Sequence, residues 1–337
     1  MTRTRVGVIG AGSWGTAIAG LLAENGHDVV LWSFEEDVAR AVRETGTNDR
    51  YLEGVRLPSS LQVTTDIAEA VSGADVVVSV SPSQFVAKVM ASASPHLRDD
   101  ILIVSASKGI ETGTLRTMDQ VLGDALSGSG TPDLAVLSGP SFAAEVARQA
   151  PTAVVVASRS PAAAQKAQNL FQSRYFRVYT NADVLGVGLG GALKNVIAIG
   201  AGVGAGLGFG HNAIAAVVTR GLAEITRLGL AMGAERSTFM GLAGLGDLVL
   251  TCTGPLSRNR TVGYRLGQGE SLQRILQGMA GVPEGVETVR AVMELARRHD
   301  VEMPISEEVH AMLSEGRSPR TALENLMSRE PKPEDWS

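Results

Sequence analysis

Cysteine is almost absent from this chain of 337 residues, which has Cys252 alone. An internal disulfide is therefore excluded, and a reducing compartment such as the cytoplasm is expected. We expect the thiol to be packed and inert, because no histidine or helix start lies next to it in the sequence to activate it.

An excess of basic residues is also lacking. The net charge is −5 and is spread along the chain, which argues against nucleic acid or an anionic membrane as the main partner. The one apolar stretch long enough to suggest a membrane span, residues 184–210, holds Lys194 and Asn195 midway. A charge there is costly in lipid, so we predict a buried helix and no integral membrane segment.

The length favours two domains. Up to about residue 183, apolar strand-like runs alternate with helix-period segments, which predicts an N-terminal Rossmann-like doubly wound sheet. Beyond that point no convincing strand is found, so we predict an all-helical C-terminal part. We place a dinucleotide-binding domain at residues 1–188 and a substrate-binding domain at residues 189–337.

A glycine-rich turn at residues 10–15 follows an apolar run and opens a helix-like stretch. In that context this glycine spacing predicts a dinucleotide site. Gly10 permits the tight turn, Gly12 lets backbone N–H groups approach the pyrophosphate, and Gly15 lets the helix pack close to the strand. The helix N-terminus favours the phosphates. The alternative is a tight turn without a ligand, and Trp14 either covers the pyrophosphate or packs beneath the glycines.

The end of the second predicted strand bears on the choice between NAD and NADP. It is followed by Glu35, Glu36 and Asp37, with no basic residue before Arg40. Carboxylates there would repel the additional phosphate of NADP, which favours NAD. The alternative is that these are simple first-turn acids of a helix.

Two further segments follow predicted strands and therefore lie at the carboxyl edge of the sheet, where ligands bind in this architecture. Lys108 lies in one and Ser141 in the other. Both are candidates for ligand contact; the alternatives are a solvated charge for Lys108 and a helix N-cap for Ser141.

The helical part holds the candidate for acid–base chemistry, because Lys194 lies in an otherwise apolar helix. Desolvation lowers the pKa of a buried lysine, which makes it a plausible general base. The alternative is a lysine at the polar edge of an amphipathic helix. Farther along, Ser257, Arg258 and Asn259 could bind an anion or form a generic polar loop. Glu284 could cap a helix or reach a ribose.

These segments resemble the bacterial NAD(P)-dependent glycerol-3-phosphate dehydrogenases. The resemblance depends on six motifs in the family's order: Gly10 to Thr16, Ser107 to Glu111, Ser138 to Ala143, Leu193 to Asn195, Gly244 to Asp247 and Ser257 to Asn259. One departure concerns Ser33, Phe34 and Glu35, where many members have a basic residue, and this weakens the expectation of a strong NADP preference.

The resemblance implies interconversion of sn-glycerol 3-phosphate and dihydroxyacetone phosphate with NAD or NADP, in a homodimer that supplies phospholipid synthesis. It implies an active site between the two domains, Lys194 as the proton acceptor and no metal. The residues implied to bind cofactor are Gly10, Gly12, Ser13, Trp14, Gly15, Ser33, Phe34, Tyr51, Lys108, Ala143, Arg258, Val282 and Glu284. Those implied to bind substrate are Lys108, Gly139, Ser141, Lys194, Asp247, Ser257, Arg258 and Asn259.

Two alternatives remain at this point. A β-hydroxyacid or 6-phosphogluconate-type dehydrogenase also pairs a Rossmann domain with a helical domain that carries a lysine base. A non-catalytic NAD-responsive binding protein could use the same fold, since fold alone does not determine function. A buried lysine argues against the second alternative, because a sensor does not need a desolvated base.

Overall fold

A computed structural model describes residues 3–127, 132–279, 281 and 283–334. Within these residues the chain divides into two units. One takes in the chain up to Lys108 together with Arg116–Gly188, and the other takes in Gly109–Leu115 together with the chain from Leu189 onward. Neither unit is therefore one continuous stretch of sequence.

The first unit holds all the strands found in the described residues. They are β1 (Arg5–Ile9), β2 (Asp28–Trp32), β3 (Thr47–Asn48), β4 (Leu52–Arg56), β5 (Gln62–Thr64), β6 (Val76–Ser79), β7 (Leu102–Ser105), β8 (Asp133–Ser138), β9 (Thr152–Ala157) and β10 (Phe176–Asn181). An eight-stranded sheet has the order β10-β9-β8-β7-β6-β1-β2-β5, and β3 pairs with β4 in a small antiparallel sheet.

Neighbouring strands of the large sheet run parallel, apart from β8 and β9, which are antiparallel. Alternate side chains of a strand point to opposite faces. On β6, Val76 and Val78 pack into one apolar cluster and Val77 packs into the other. Apolar helix faces cover both clusters, which is the doubly wound arrangement that the alternating sequence pattern predicts.

The helices of the first unit lie between its strands in the sequence. They are α1 (Ser13–Glu24), α2 (Glu36–Thr45), α3 (Ile67–Val71), α4 (Val86–Ala93), α5 (Met118–Ala125), α6 (Ala143–Ala147) and α7 (Pro161–Phe171). Helix α7 begins with a side-chain cap, since the Ser160 hydroxyl accepts the Ala163 N–H at 3.2 Å and Pro161 occupies the first turn.

Helix α8 (Val184–Gly206) begins in the first unit and continues into the second. It is long and apolar enough to cross a membrane, yet 83% of its most apolar window is buried inside the protein. That burial is what the core helix of a folded domain shows. The glycines of α8 have a packing role, since a Cβ on Gly202 would lie 2.1 Å from the Arg260 carbonyl oxygen.

From Leu189 onward the described residues of the second unit form helices joined by loops, whereas its other stretch, Gly109–Leu115, contains no helix. Its helices after α8 are α9 (His211–Ala231), α10 (Arg236–Phe239), α11 (Asp247–Thr253), α12 (Arg258–Gly267), α13 (Leu272–Gln277), α14 (Glu284–Arg298), α15 (Pro304–Ser314) and α16 (Pro319–Met327), with a π-helical segment at Leu242–Gly246. The prediction of a Rossmann-like sheet followed by a helical part is confirmed.

Candidate active site

The glycine turn between β1 and α1 has the backbone that a dinucleotide site needs. Gly10 has φ +126°, a region that favours glycine, and its N–H donates to the Trp32 carbonyl at 3.1 Å. A Cβ on Gly15 would lie 1.8 Å from the Gly10 carbonyl oxygen, so the helix start and the turn are in backbone contact. A Cβ on Gly12 would meet nothing within 4 Å, and α1 begins at Ser13 without a side-chain cap.

These two features of Gly12 and α1 suit an incoming pyrophosphate. Open space above Gly12 leaves room for phosphate oxygens, and the uncapped first turn offers N–H donors and the positive end of the helix dipole. The residues present therefore fit the phosphates of a dinucleotide.

Tyr51 connects the turn to the end of β2. Its carbonyl accepts the Ser13 hydroxyl at 2.6 Å, and its own hydroxyl donates to the Glu35 carboxylate at 2.7 Å. Burial, followed by the Glu35 hydrogen bond, raises the pKa of the Tyr51 phenol. Ser33 is fully buried and donates to the Glu35 carbonyl at 2.9 Å, whereas the Phe34 side chain is 81% exposed.

Trp14 packs against the apolar clusters of the first unit. Its indole Nε1 is buried, with no hydrogen-bond partner in the part of the chain that is described. Of the two roles considered for this side chain, packing beneath the turn is the one that these contacts support.

Three predicted residues meet at one backbone carbonyl in the first unit. The Gly139 oxygen accepts the Lys108 ammonium at 3.0 Å and the Ser141 hydroxyl at 2.9 Å. Gly139 follows β8 and has φ +129°. Ala143 begins α6 and packs against the small apolar cluster beside α1. The structure therefore brings Lys108, Gly139 and Ser141 together at the carboxyl edge of the sheet.

Lys194 of α8 forms a buried ion pair with Asp247, the first residue of α11. Lys194 is 6% exposed and Asp247 is 1% exposed. The lysine ammonium donates to an oxygen of the Asp247 carboxylate and, at 2.8 Å, to the Thr251 hydroxyl. An opposite charge in contact stabilises the charged ammonium and so opposes the desolvation that the sequence argument emphasised.

Close backbone packing places the two residues of this pair. A Cβ on Gly190 would lie 2.6 Å from the Ala243 carbonyl oxygen, so α8 and the π-helical segment approach more closely than a side chain would allow. Asp247 directly follows that segment, and Thr251 lies four residues later on the same face of α11. Its hydroxyl also donates to the Asp247 carbonyl at 2.6 Å.

The candidate anion loop at Ser257, Arg258 and Asn259 contains two buried side chains and one exposed side chain. Ser257 is buried and is the N-cap of α12, with its hydroxyl accepting the Arg260 N–H at 3.2 Å. Asn259 is also buried; its amide donates to Asn195 at 2.9 Å and accepts the Gly285 N–H at 3.0 Å. Arg258 is exposed at the first position of α12. Of the three side chains, the arginine is the accessible one.

The remaining candidates lie around the start of α14. Glu284 is its first residue and is half-buried. Val282 lies outside the described residues.

Cys252 is fully buried on α11, and burial raises the pKa of its thiol to about 12, which confirms the prediction of an inert side chain.

Sequence reasoning missed three contributors to these arrangements. Thr251 is the second acceptor for Lys194, and its position four residues after Asp247 on a helix is a signal that could have identified it. Asn195 and Gly285 form the network around Asn259, but the long sequence separations left no local signal for it.

Two family models match the chain. The N-terminal model of NAD-dependent glycerol-3-phosphate dehydrogenase matches residues 5–164 and the C-terminal model matches residues 183–324. A Geobacter sulfurreducens protein named glycerol-3-phosphate dehydrogenase (NAD(P)+) is 54% identical over 332 residues, covering 98% of this chain and 99% of that protein. A Koribacter versatilis protein of the same name is 50% identical, covering 99% of each.

Solved structures point the same way. The crystal structure of glycerol-3-phosphate dehydrogenase from Coxiella burnetii has a TM-score of 0.93 against this chain at 38% sequence identity. The match covers 97% of this chain and 99% of that one.

Proposed function

The chain belongs to the NAD-dependent glycerol-3-phosphate dehydrogenase family, and from this premise we propose that Lys194 carries the proton in its reaction. The enzyme uses NAD(P) to interconvert sn-glycerol 3-phosphate and dihydroxyacetone phosphate. The family match decides against both alternatives, the β-hydroxyacid-type dehydrogenase and the non-catalytic binding protein.

The proposal for Lys194 starts from the balance of the reaction. Reducing the ketone of dihydroxyacetone phosphate requires a hydride at C2 and a proton at the carbonyl oxygen. A bound reduced nicotinamide supplies the hydride. Lys194 donates the proton from its ammonium and becomes a neutral amine. In the oxidation of glycerol phosphate the neutral amine takes the hydroxyl proton back.

The buried pair of Lys194 and Asp247 is the single observation that carries this proposal. The Asp247 carboxylate and, at 2.8 Å, the Thr251 hydroxyl both accept hydrogen bonds from the amine and so fix the direction of its N–H groups. A general acid must be held within hydrogen-bond reach of the oxygen that it protonates.

We assign substrate contact to the groups that can donate to phosphate or hydroxyl oxygens. Arg258 is accessible and offers a planar fork to phosphate. Ser257 and Asn259 support the loop that carries it, through the N-cap of α12 and the amide network. Lys108, Gly139 and Ser141 form a second polar cluster that we assign to substrate as well.

We assign the nucleotide to the first unit, within a domain at residues 1–188, and the substrate to a domain at residues 189–337. Open space at Gly12, the positive φ of Gly10 and the uncapped start of α1 support the first assignment. We also assign nine further residues to the cofactor. Six surround that turn or the strand end beside it, and three lie elsewhere in the chain. The first six are Ser13, Trp14, Ser33, Phe34, Tyr51 and Ala143, and the other three are Lys108, Arg258 and Glu284.

The role of Lys194 is tested by Lys194→Met, which removes the amine and keeps most of the side-chain volume. We expect the rate of NADH oxidation with dihydroxyacetone phosphate to fall by roughly 10²–10⁴-fold, the usual contribution of a general acid or base. NADH affinity, measured by fluorescence, should stay within about twofold of the original. Lys166→Met is the matched control, since Lys166 is an exposed lysine on α7.

Near-normal turnover in the Lys194→Met protein would remove Lys194 from the mechanism. If the Lys166→Met protein lost turnover to a similar extent, the assay would be reporting a general loss of positive charge.

Three finer assignments complete the proposal. We propose that the protein is a homodimer, that it works in the cytoplasm and that its glycerol phosphate supplies phospholipid synthesis. The single buried cysteine suits a reducing compartment. Sedimentation velocity tests the dimer: one species of twice the 35.1 kDa chain mass is expected, and a monomer at micromolar concentration would contradict it.

A further inference from the structure

The end of β2 lies directly beside the glycine turn. Strands β1 and β2 pair in parallel with Ile9 opposite Trp32, and the Gly10 N–H donates to the Trp32 carbonyl at 3.1 Å. Glu35 comes three residues after Trp32, at the N-cap of α2. A carboxylate at this point in a dinucleotide fold contacts the adenosine ribose, whereas a basic residue there accommodates the 2′-phosphate of NADP.

Glu35 is held toward the turn by a chain of hydrogen bonds. The Tyr51 hydroxyl donates to its carboxylate at 2.7 Å, and the Tyr51 carbonyl accepts the Ser13 hydroxyl of the turn at 2.6 Å. Buried Ser33 fixes the Glu35 backbone by donating to its carbonyl at 2.9 Å. The carboxylate is therefore half-buried in a defined position and is not a freely moving surface acid.

The neighbouring acids differ from Glu35 in their partners. Glu36 pairs with Arg43 at 2.5 Å, and Asp37 pairs with Arg50 at 2.9 Å. Glu35 has a neutral phenol as its partner and forms no ion pair within the described ranges. Its negative charge is thus the one in this acidic run that a basic side chain does not offset.

Arg50 is the basic side chain near this position. Its guanidinium lies 5.3 Å from the centre of the Tyr51 ring, but Asp37 already pairs with it. A 2′-phosphate at the ribose would meet the Glu35 charge, while a ribose 2′-hydroxyl could donate to the same carboxylate.

We propose that Glu35, positioned by Tyr51, makes this enzyme select NAD(H) over NADP(H). Glu35 is the specificity residue, and Tyr51 is a positioning residue that acts through it. The inference deepens the proposed function and rests on it, since it requires a dinucleotide at the glycine turn.

The test is a set of binding measurements that need no turnover. Dissociation constants for NADH and for NADPH are measured by nicotinamide fluorescence for the original protein, Glu35→Gln, Tyr51→Phe and the matched control Glu36→Gln. We expect the original protein to bind NADH at least about tenfold more tightly than NADPH, because a like charge at contact distance opposes the phosphate. The difference between the two dissociation constants should become smaller as added salt screens the repulsion.

Each variant has its own expected result. Glu35→Gln should bring the two dissociation constants within about threefold of each other, since it removes the repulsion and keeps an amide at the ribose. Glu36→Gln should keep the original ratio, because Arg43 already offsets that charge. Tyr51→Phe should reduce the ratio of the NADPH to the NADH dissociation constant, but by less than Glu35→Gln does. Added to Glu35→Gln, it should not change that ratio further, because a positioning residue acts only through Glu35.

Three results would overturn the proposal. One is an original protein that binds NADPH as tightly as NADH, which would point to Arg50 as a phosphate ligand. Another is an equal effect of Glu35→Gln and Glu36→Gln, and the third is a Tyr51→Phe effect that persists in the Glu35→Gln background. A protein that binds neither nucleotide would instead contradict the assignment of the glycine turn as a dinucleotide site.

Discussion

The ammonium of Lys194 is in hydrogen-bond contact with the carboxylate of Asp247, and both side chains are buried inside the helical unit. Taking two charges out of water is costly, and their attraction repays that cost only with good geometry and further hydrogen bonds. Thr251 supplies one such bond at 2.8 Å. A buried ion pair of this kind contributes little net stability. Its presence is therefore better explained by a chemical role for the amine.

The pair permits an experiment that separates folding from catalysis. Lys194→Met removes the cationic partner of the buried Asp247 carboxylate, and removing one member of a buried ion pair should cost about 3–5 kcal/mol of unfolding free energy. Adding Asp247→Asn removes that charge, so the double variant should recover most of the stability while its turnover stays low. Urea unfolding and initial rates measured on the same samples check this. Turnover that returns together with stability would show that Lys194 has only a structural role.

We expect substitution by alanine to have different consequences at two glycines of the turn, lowering stability at one and nucleotide affinity at the other. A Cβ on Gly15 would overlap the Gly10 carbonyl oxygen at 1.8 Å, so Gly15→Ala should lower the unfolding free energy by more than about 2 kcal/mol. A Cβ on Gly12 meets open space at an ordinary backbone conformation, so Gly12→Ala should fold normally. Its methyl group would occupy the phosphate position, and nucleotide affinity should fall about tenfold or more.

Thermal unfolding and NADH fluorescence distinguish the two variants. Unchanged NADH affinity in the Gly12→Ala protein would place the pyrophosphate elsewhere.

Local patterns were sufficient to predict the turn and the strands that flank it, because each depends on residues close together in the sequence. The glycine spacing, the apolar run before it and the helix after it are all found between Arg5 and Glu24. The reversal between β8 and β9 was not predictable, since an apolar β-branched run reads the same in either direction.

The candidate site was predicted in part, for a related reason. Lys194 could be recognised as a charge in an apolar helix, but its partner Asp247 lies on another helix and no local pattern connects the two. From its neighbours Ser257 and Arg258, Asn259 was a candidate for an anion site, with a generic polar loop as the alternative. The structure shows most of its amide used in packing α8, α12 and α14 together, a contact that depends on tertiary structure.

We therefore expect a loss of stability from substituting Asn259 and a loss of substrate affinity from substituting Arg258. Asn259→Ala leaves the Gly285 N–H and the Asn195 amide without that partner, which should cost about 1–3 kcal/mol of unfolding free energy. Arg258→Ala changes an exposed side chain, so its stability should change by less than about 1 kcal/mol. Its KM for dihydroxyacetone phosphate should rise at least about tenfold, because a charge-assisted phosphate contact is lost.

Urea unfolding and initial rates over a range of substrate concentrations measure both losses. A normal KM in the Arg258→Ala protein would show that the phosphate binds elsewhere.

Glu224 of α9 predicts a pH dependence of stability that is separate from catalysis. The carboxylate is 1% exposed and accepts the N–H groups of Ile305 and Ser306 at the start of α15, at 2.6 and 3.2 Å. Burial raises its pKa to about 7 from an ordinary value of 4.5, against the opposing effect of these hydrogen bonds. The folded state therefore holds this proton over a pH range in which the unfolded chain has released it.

Because the folded pKa is the higher one, stability from this group is greatest at acid pH and is lost as pH rises from about 4.5 to 7. Between pH 5.5 and 7.5 the Glu224 contribution should fall by about 2 kcal/mol. Glu224→Gln cannot ionise and should lose that slope, whereas exposed Glu53→Gln should keep it. Urea unfolding at the two pH values measures the difference, and equal slopes in all three proteins would mean that Glu224 stays ionised throughout.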